Sequence, residues 1–285
     1  MPPCPAVTRR DAELPVAVFD SGVGGLTVLH ECLVSLPHED FVYLGDTARF
    51  PYGDRSPDQL LAFSRELASI LLGEGAKLLV VACNSATSAA LPALREELAD
   101  RVPVVGVVRP ESRLAAAHTR NGRVGLLATP ATVASGAYER ALHAEAPTAE
   151  LHAVASAELA PLIQEGGEVD ERTIACVEGA CGPLKSAGVD TMILGCTHYP
   201  LVRPVLQREL GRGVTIVSSG EAIAAEVEAE LRGAGLERDA GRRGHYGFLA
   251  SGDPEGFRRL GTRFLQLPIG EVRHVDVQPA RRVAA

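Results

Sequence analysis

Cys83 and Cys196 each close a short apolar run, at 78–82 and 191–195, and each is followed by small polar residues and a stretch of helical character. In parallel α/β sheets ligands gather at the carboxyl ends of strands, and a helix N-terminus there favours a thiolate. Two such thiols, entering one cleft from opposite sides, suit one reaction in particular. Inverting a carbon stereocentre by proton transfer needs a base on one face and an acid on the other, with the roles exchanged for the reverse direction. A pair of like groups meets that need, and thiols titrate near enough to neutrality to serve as either. Each thiol also needs a neighbour to take or hold its proton. Asp20, ending the run 16–19, is placed to assist Cys83, and His198, two residues past Cys196, to assist Cys196.

The elements that must position these residues read as βαβ units. Strands are expected at 16–19, 41–44, 78–82, 104–108, 124–128, 151–154, 191–195, 214–218 and 245–250, with helices between them. A helix is expected over 221–231, and another after Asp253-Pro254, where Asp253 is the cap and Pro254 the first helical residue. The segment 279–285 lacks periodicity and reads as a loose tail. A weak internal repeat links 78–94 with 191–206, and 16–25 with 124–133. The fold class is therefore α/β, with two similar domains of mainly parallel sheets related by pseudo-two-fold symmetry and the active site in the cleft between them. Gly22-Val23-Gly24-Gly25 reads as a turn whose N–H groups approach a carboxylate at a helix start, and Pro51-Tyr52-Gly53 as a turn presenting backbone donors.

Composition narrows the function classes. At 285 residues, with 46 % hydrophobic content, the chain can bury a sizeable core. A formal net charge of −8 argues against nucleic acid or an anionic membrane as partner. The N-terminal segment has no secretion-signal core, and the apolar runs are strand-sized, so a cytoplasmic protein with reduced thiols is expected. Of the six cysteines none forms a CxxC pair, and Cys176 and Cys181 read as helix packing.

The segments FDSGVGGLTVL, YLGDTARFPYG, ACNSATSAAL and LGCTHYPLV occur in this order, followed by SSGEAIA and GFLASGDPEGFRRLGTRFL. Together they resemble glutamate racemase, of the aspartate/glutamate racemase superfamily, over roughly residues 16–265. The resemblance implies cofactor-independent interconversion of L- and D-glutamate, supplying D-glutamate for peptidoglycan, hence cell-wall biogenesis and cell shape. It implies Cys83 and Cys196 as the acid/base pair, supported by Asp20 and His198. Ser21, Pro51, Tyr52, Gly53, Asn84, Ser85 and Thr197 match substrate-holding positions. It also implies a chain that crosses over and returns, giving a first domain of 1–108 plus 216–285 and a second of 109–215. No metal and no cofactor are expected; the partner expected is a small-molecule substrate, and a homodimer is left open.

Two segments depart from the family pattern. A Cys-Pro segment leading to an acidic residue usually supports the second cysteine; here Ser156-Ala157 replaces Cys-Pro, and Gln164 aligns with the acidic position, followed by Glu165. Either Glu165 takes that role, though a one-residue shift swings a side chain by about 100° around a helix, or the reaction leans on His198 alone. In Arg109-Pro110-Glu111 a small residue commonly follows the proline, and the sequence assigns Glu111 no role.

Rival readings are weaker. A pyridoxal-phosphate racemase needs a Schiff-base lysine, and the only lysines are Lys77, at the wrong end of its strand, and Lys185, in a helix far from any motif. A racemase of a related acid such as aspartate, or a binding relative that has lost turnover, shares the same cleft. A metal site on Cys83, Cys196 and His198 lacks a second histidine at ligand spacing.

Overall fold

The computed structural model describes residues 9–165 and 169–278. Cys4 and the expected tail at 279–285 lie outside the described residues. Among the described residues ten strands form: β1 Val16–Asp20, β2 Phe41–Gly45, β3 Leu78–Val81, β4 Val104–Gly106, β5 Arg123–Ala128, β6 Glu150–Ala155, β7 Thr191–Gly195, β8 Thr215–Val217, β9 Tyr246–Ala250 and β10 Val272–His274. They make two sheets, a six-stranded one ordered β10-β9-β2-β1-β3-β4 and a four-stranded one ordered β6-β5-β7-β8. Every pairing is parallel. Strands covered on both faces read as unbroken apolar runs, which is why β1, β3 and β7 are buried along their whole length.

The order β2-β1-β3-β4 in the first sheet recurs as β6-β5-β7-β8 in the second. This places β1 opposite β5 and β3 opposite β7 in the repeat, so the residues that follow them occupy equivalent places. One apolar cluster joins the halves, running from Val18 and Val80 to Leu126 and Ile193. Each such side chain contributes about 1.5–3 kcal/mol when fully buried. The helix Ser219–Ala234 packs on Leu26–Ser35 of the first half and on Val108–His118.

Three expectations are corrected. β4 ends at Gly106 rather than at residue 108, and Val108 already opens a helix. Pro110 sits in that helix's first turn, where the N–H it lacks would have had no intrahelical partner. β8 ends at Val217 rather than at residue 218 and pairs with β7 in the second sheet. β10 was not anticipated, because three edge residues with a half-exposed face carry no apolar pattern. The expected helix near 221–231 spans Ser219–Ala234, and Asp253 caps the next helix, accepting from the N–H groups of Glu255 and Gly256. Among the described residues no helix is long and apolar enough to cross a membrane.

Candidate active site

Cys83 and Cys196 stand at the carboxyl ends of β3 and β7, on different sheets, and both line one cleft of about 410 Å³ counted with its open mouth. Ser21, Pro51, Tyr52, Gly53, Asn84, Ser85, Thr197 and His198 share its walls. Asp20 lies just behind them, fully buried at the end of β1.

The first thiol belongs to a loop that becomes a helix at once. Cys83 is the N-cap of Asn84–Glu97, with extended backbone. Burial pushes its thiol up to about 12, and the nearby Asp20 charge adds to this, while hydrogen bonds involving the Ala86 backbone and Ser21 oppose it. Burial therefore outweighs the helix terminus, contrary to the lowered value expected from the dipole. Asp20 accepts from the N–H of Gly22 at 3.0 Å and from the Thr197 hydroxyl at 3.3 Å. Burial raises its carboxyl to about 6, against the opposing N–H bonds of Gly25 and Gly22.

The second thiol has a different setting. No α-helix starts at Cys196; a 3₁₀ turn, Tyr199–Val202, intervenes before the helix Arg203–Leu210. Burial raises the Cys196 thiol further than that of Cys83, opposed by a backbone hydrogen bond with His198. His198 Nδ1 lies 3.9 Å from Cys196 Sγ, and its Nε2 lies 2.9 Å from Gln164 Oε1. An amide oxygen only accepts, so Nε2 carries the proton and Nδ1 offers its lone pair to the thiol. Burial holds the imidazole neutral, with its pKa down to about 3. Phe50 and Phe264 flank the ring at centroid distances of 5.4 and 5.1 Å and fix its plane.

The departure at 164–165 is thereby resolved. Gln164, on the short helix Leu159–Glu165, reaches His198 directly, whereas Glu165 is exposed on another side of the same helix. No shift brings a carboxylate to this side.

The glycine turn also differs from its sequence reading, because none of Gly22, Val23, Gly24 and Gly25 lines the cleft. A Cβ on Gly24 would stand 2.4 Å from both His198 Nδ1 and Thr197 Oγ1, and one on Gly25 2.6 Å from the Asp20 Cβ. The turn is bare so that the second half can close on the first. The Pro51–Gly53 turn is held by Tyr52, whose buried hydroxyl donates to Asp46, and by Gly53 C=O accepting from the Ala131 N–H at 2.8 Å.

Sequence reasoning missed Thr129, Phe50 and Ala160, which also line the cleft. Thr129 had a signal. In the repeat it occupies the place of Ser21, one residue past the strand end. Its hydroxyl, with those of Ser85 and Thr132, closes a triangle with sides of 2.8, 3.1 and 3.0 Å.

The model of the family described as Asp/Glu/Hydantoin racemase matches residues 29–227. The chain belongs to that family. It is 44 % identical over 263 residues to a glutamate racemase of Geobacter metallireducens, covering 92 % of this chain and 97 % of the relative. Its fold matches the crystal structure of a glutamate racemase isoform of Bacillus anthracis with a TM-score of 0.87 at 36 % identity, covering 94 % of this chain and 98 % of the other. A glutamate racemase of Francisella tularensis, solved in complex with D-glutamate, matches with a TM-score of 0.86 at 28 % identity, covering 93 % and 98 %. In this racemase, Lys77 is buried at the opposite end of β3, bound to Glu39 and to the Ala12 and Leu236 carbonyls, while Lys185 is exposed.

Proposed function

We propose that this chain interconverts L- and D-glutamate, with Cys83 and Cys196 acting on opposite faces of the α-carbon. The supporting observation is that two thiols from different sheets share one cleft, each beside its own proton acceptor. In one direction a Cys83 thiolate takes the α-proton, forming S–H and leaving the electron pair on carbon, delocalised into the carboxylate. The Cys196 thiol then gives its proton to the opposite face and is left as thiolate. The reverse direction exchanges these roles. By themselves both thiols are protonated; a substrate ammonium entering the cleft favours the thiolate on either side. Asp20 takes the proton that primes Cys83, and His198 Nδ1 the one that primes Cys196.

The substrate-holding assignment of Ser21, Pro51, Tyr52, Gly53, Asn84, Ser85 and Thr197 rests on their place on the cleft walls. Glutamate is supported by the relatives, and with it the supply of D-glutamate for the cell wall. We carry forward a division into 1–108 with 216–285 and 109–215, the return crossing adjusted to follow β8. A cytoplasmic location fits five unpaired cysteines among the described residues. A homodimer is tested by sedimentation.

The deciding experiment is incubation with L-glutamate in deuterated water without added cofactor. Circular dichroism is expected to decay to zero while mass spectrometry shows deuterium at the α-carbon. Absence of both overturns the reading.

A further inference from the structure

Glu111 is fully buried and, among the described residues, forms no salt bridge. It stands in the first turn of Val108–His118, and its partners come from the starts of three other helices. The Ser219 hydroxyl donates to Oε1; the Tyr138 hydroxyl donates to Oε2; and Asn84 Nδ2 donates to Oε2 at 3.2 Å. Asn84 Nδ2 also donates to the Tyr138 hydroxyl oxygen at 2.6 Å. Four positive helix ends and three donors explain how a carboxyl without a counter-cation is tolerated here.

The triangle uses up one side of Asn84. Glu111 Oε2 and the Tyr138 oxygen, bonded to each other, lie together on one side of Nδ2 and share one of its N–H hydrogens. The remaining polar atom, Oδ1, is buried and has no partner, although Asn84 is part of the cleft wall beside Cys83. With Oε2 unprotonated, reversing the amide would set Oδ1 against Glu111 Oε2, acceptor against acceptor, so that form of Glu111 holds the orientation. A buried acceptor left unpaired costs about 1–3 kcal/mol. A carboxyl needed only for packing would account for the bonds of Ser219 and Tyr138. It would not account for an amide of the cleft wall held with its oxygen unpartnered.

We infer that Glu111 is a positioning residue that clamps the Asn84 carboxamide so that Oδ1 receives a hydrogen bond from the substrate's ammonium group. This rests on the amino-acid racemase reading of the cleft and names a residue that makes it selective for amino acids over plain diacids. Burial raises the Glu111 carboxyl to about 8, and the clamp needs the proton, when present, to sit on Oε1. When protonated on Oε1, the group donates to Ser219 Oγ while Oε2 still accepts from Asn84 and Tyr138.

The test compares D-glutamate with glutarate, which keeps both carboxylates and lacks the ammonium, by calorimetric titration of the full chain. Glu111→Ala frees the amide to turn. It is expected to weaken D-glutamate about tenfold, the worth of one hydrogen bond to a charged group, and glutarate less than about twofold. Glu111→Gln, which can present Oε1 to Asn84 and Nε2 to Ser219, is expected to restore the preference. Tyr138→Phe removes one anchor, keeps the fold if Glu111→Ala does not, and is expected to lower the preference about threefold by the same reckoning. If the variants weaken both ligands in parallel, or leave the ratio unchanged, the clamp is wrong. If the wild type binds neither acid, the glutamate reading itself falls, and the clamp with it.

Discussion

The two halves solve the same problem with different chemistry. After β3 comes a thiol at the head of an α-helix, with a carboxyl from the neighbouring strand β1 as its partner. After β7 comes a thiol before a 3₁₀ turn, with an imidazole from its own loop as partner. In the repeat, Ala128 occupies the place of Asp20, and Ser85 the place of His198. Each half therefore lacks the other's helper. The Asp20 side can hold a negative charge at rest, whereas the Cys196 side is neutral until a proton moves, since His198 is uncharged and its support, Gln164, is an amide. Equivalent backbone positions do not require equivalent proton carriers; what must match is the reach of the two sulfurs.

The strongest way to break this comparison is to remove one thiol at a time. Cys83→Ser and Cys196→Ser are each expected to lower kcat by at least about 10³-fold, within the range that acid/base groups supply. A serine variant retaining full activity would show that its side needs no thiol. In deuterated water, α-proton exchange from one enantiomer only would mark the face served by the surviving sulfur.

Next come the helpers. Asp20→Asn and His198→Asn are each expected to cost about 10²-fold in kcat/KM, but only the first should change the pH profile. With its carboxyl near 6, Asp20 loses the ability to accept a proton below that pH, so the wild type has an acid limb near pH 6. Asp20→Asn abolishes the limb, and His198→Asn keeps it. The same groups move stability in opposite senses. The folded state holds the Asp20 proton to higher pH than the unfolded chain does, so stability falls as pH rises from about 4 to 6. His198 is depressed to about 3, so its contribution is complete above the unfolded value and is lost as pH falls from about 6.5 to 3. In thermal melts at pH 8, Asp20→Asn is expected to gain up to about 3 kcal/mol from the removed burial cost.

A finer test places a carboxylate on the neutral side. Gln164→Glu is expected to raise the imidazole's affinity for a proton, visible as an upward shift of the His198 titration by NMR. Its effect on kcat/KM should stay within about tenfold, as for one altered hydrogen bond. The smallest effect belongs to Glu165→Ala, expected to leave rate and stability within about twofold, as for surface positions generally. A large loss there would return the missing carboxylate to that residue.

The sequence makes the backbone positions of this site plain and its electrostatics much less so. Apolar runs ending in Asp20, Cys83 and Cys196 announce strand ends, because a buried parallel strand has few other ways to be written. The choice between Gln164 and Glu165 was not legible. It depends on which side of a short helix faces His198, and a helix of seven residues carries too few apolar positions to fix its phase. Thiol acidity was misjudged for a related reason: the helix terminus behind Cys83 shows in the pattern, whereas burial, the larger effect, exists only once both halves close. Glu111 was silent because its three partners lie 27 to 108 residues away along the chain.

The repeated strand order has a further consequence. Two halves built of L-residues can be superposed only by a rotation, but L- and D-glutamate are related by a reflection. No symmetry of the cleft can therefore make the enantiomers equivalent to it, and the mismatch between an aspartate and a histidine breaks nothing that the chemistry requires. Water, being achiral, fixes their equilibrium at equal amounts. Whatever asymmetry the halves possess must then cancel in the ratio of kcat/KM for the two directions and can appear only in kcat and KM taken separately.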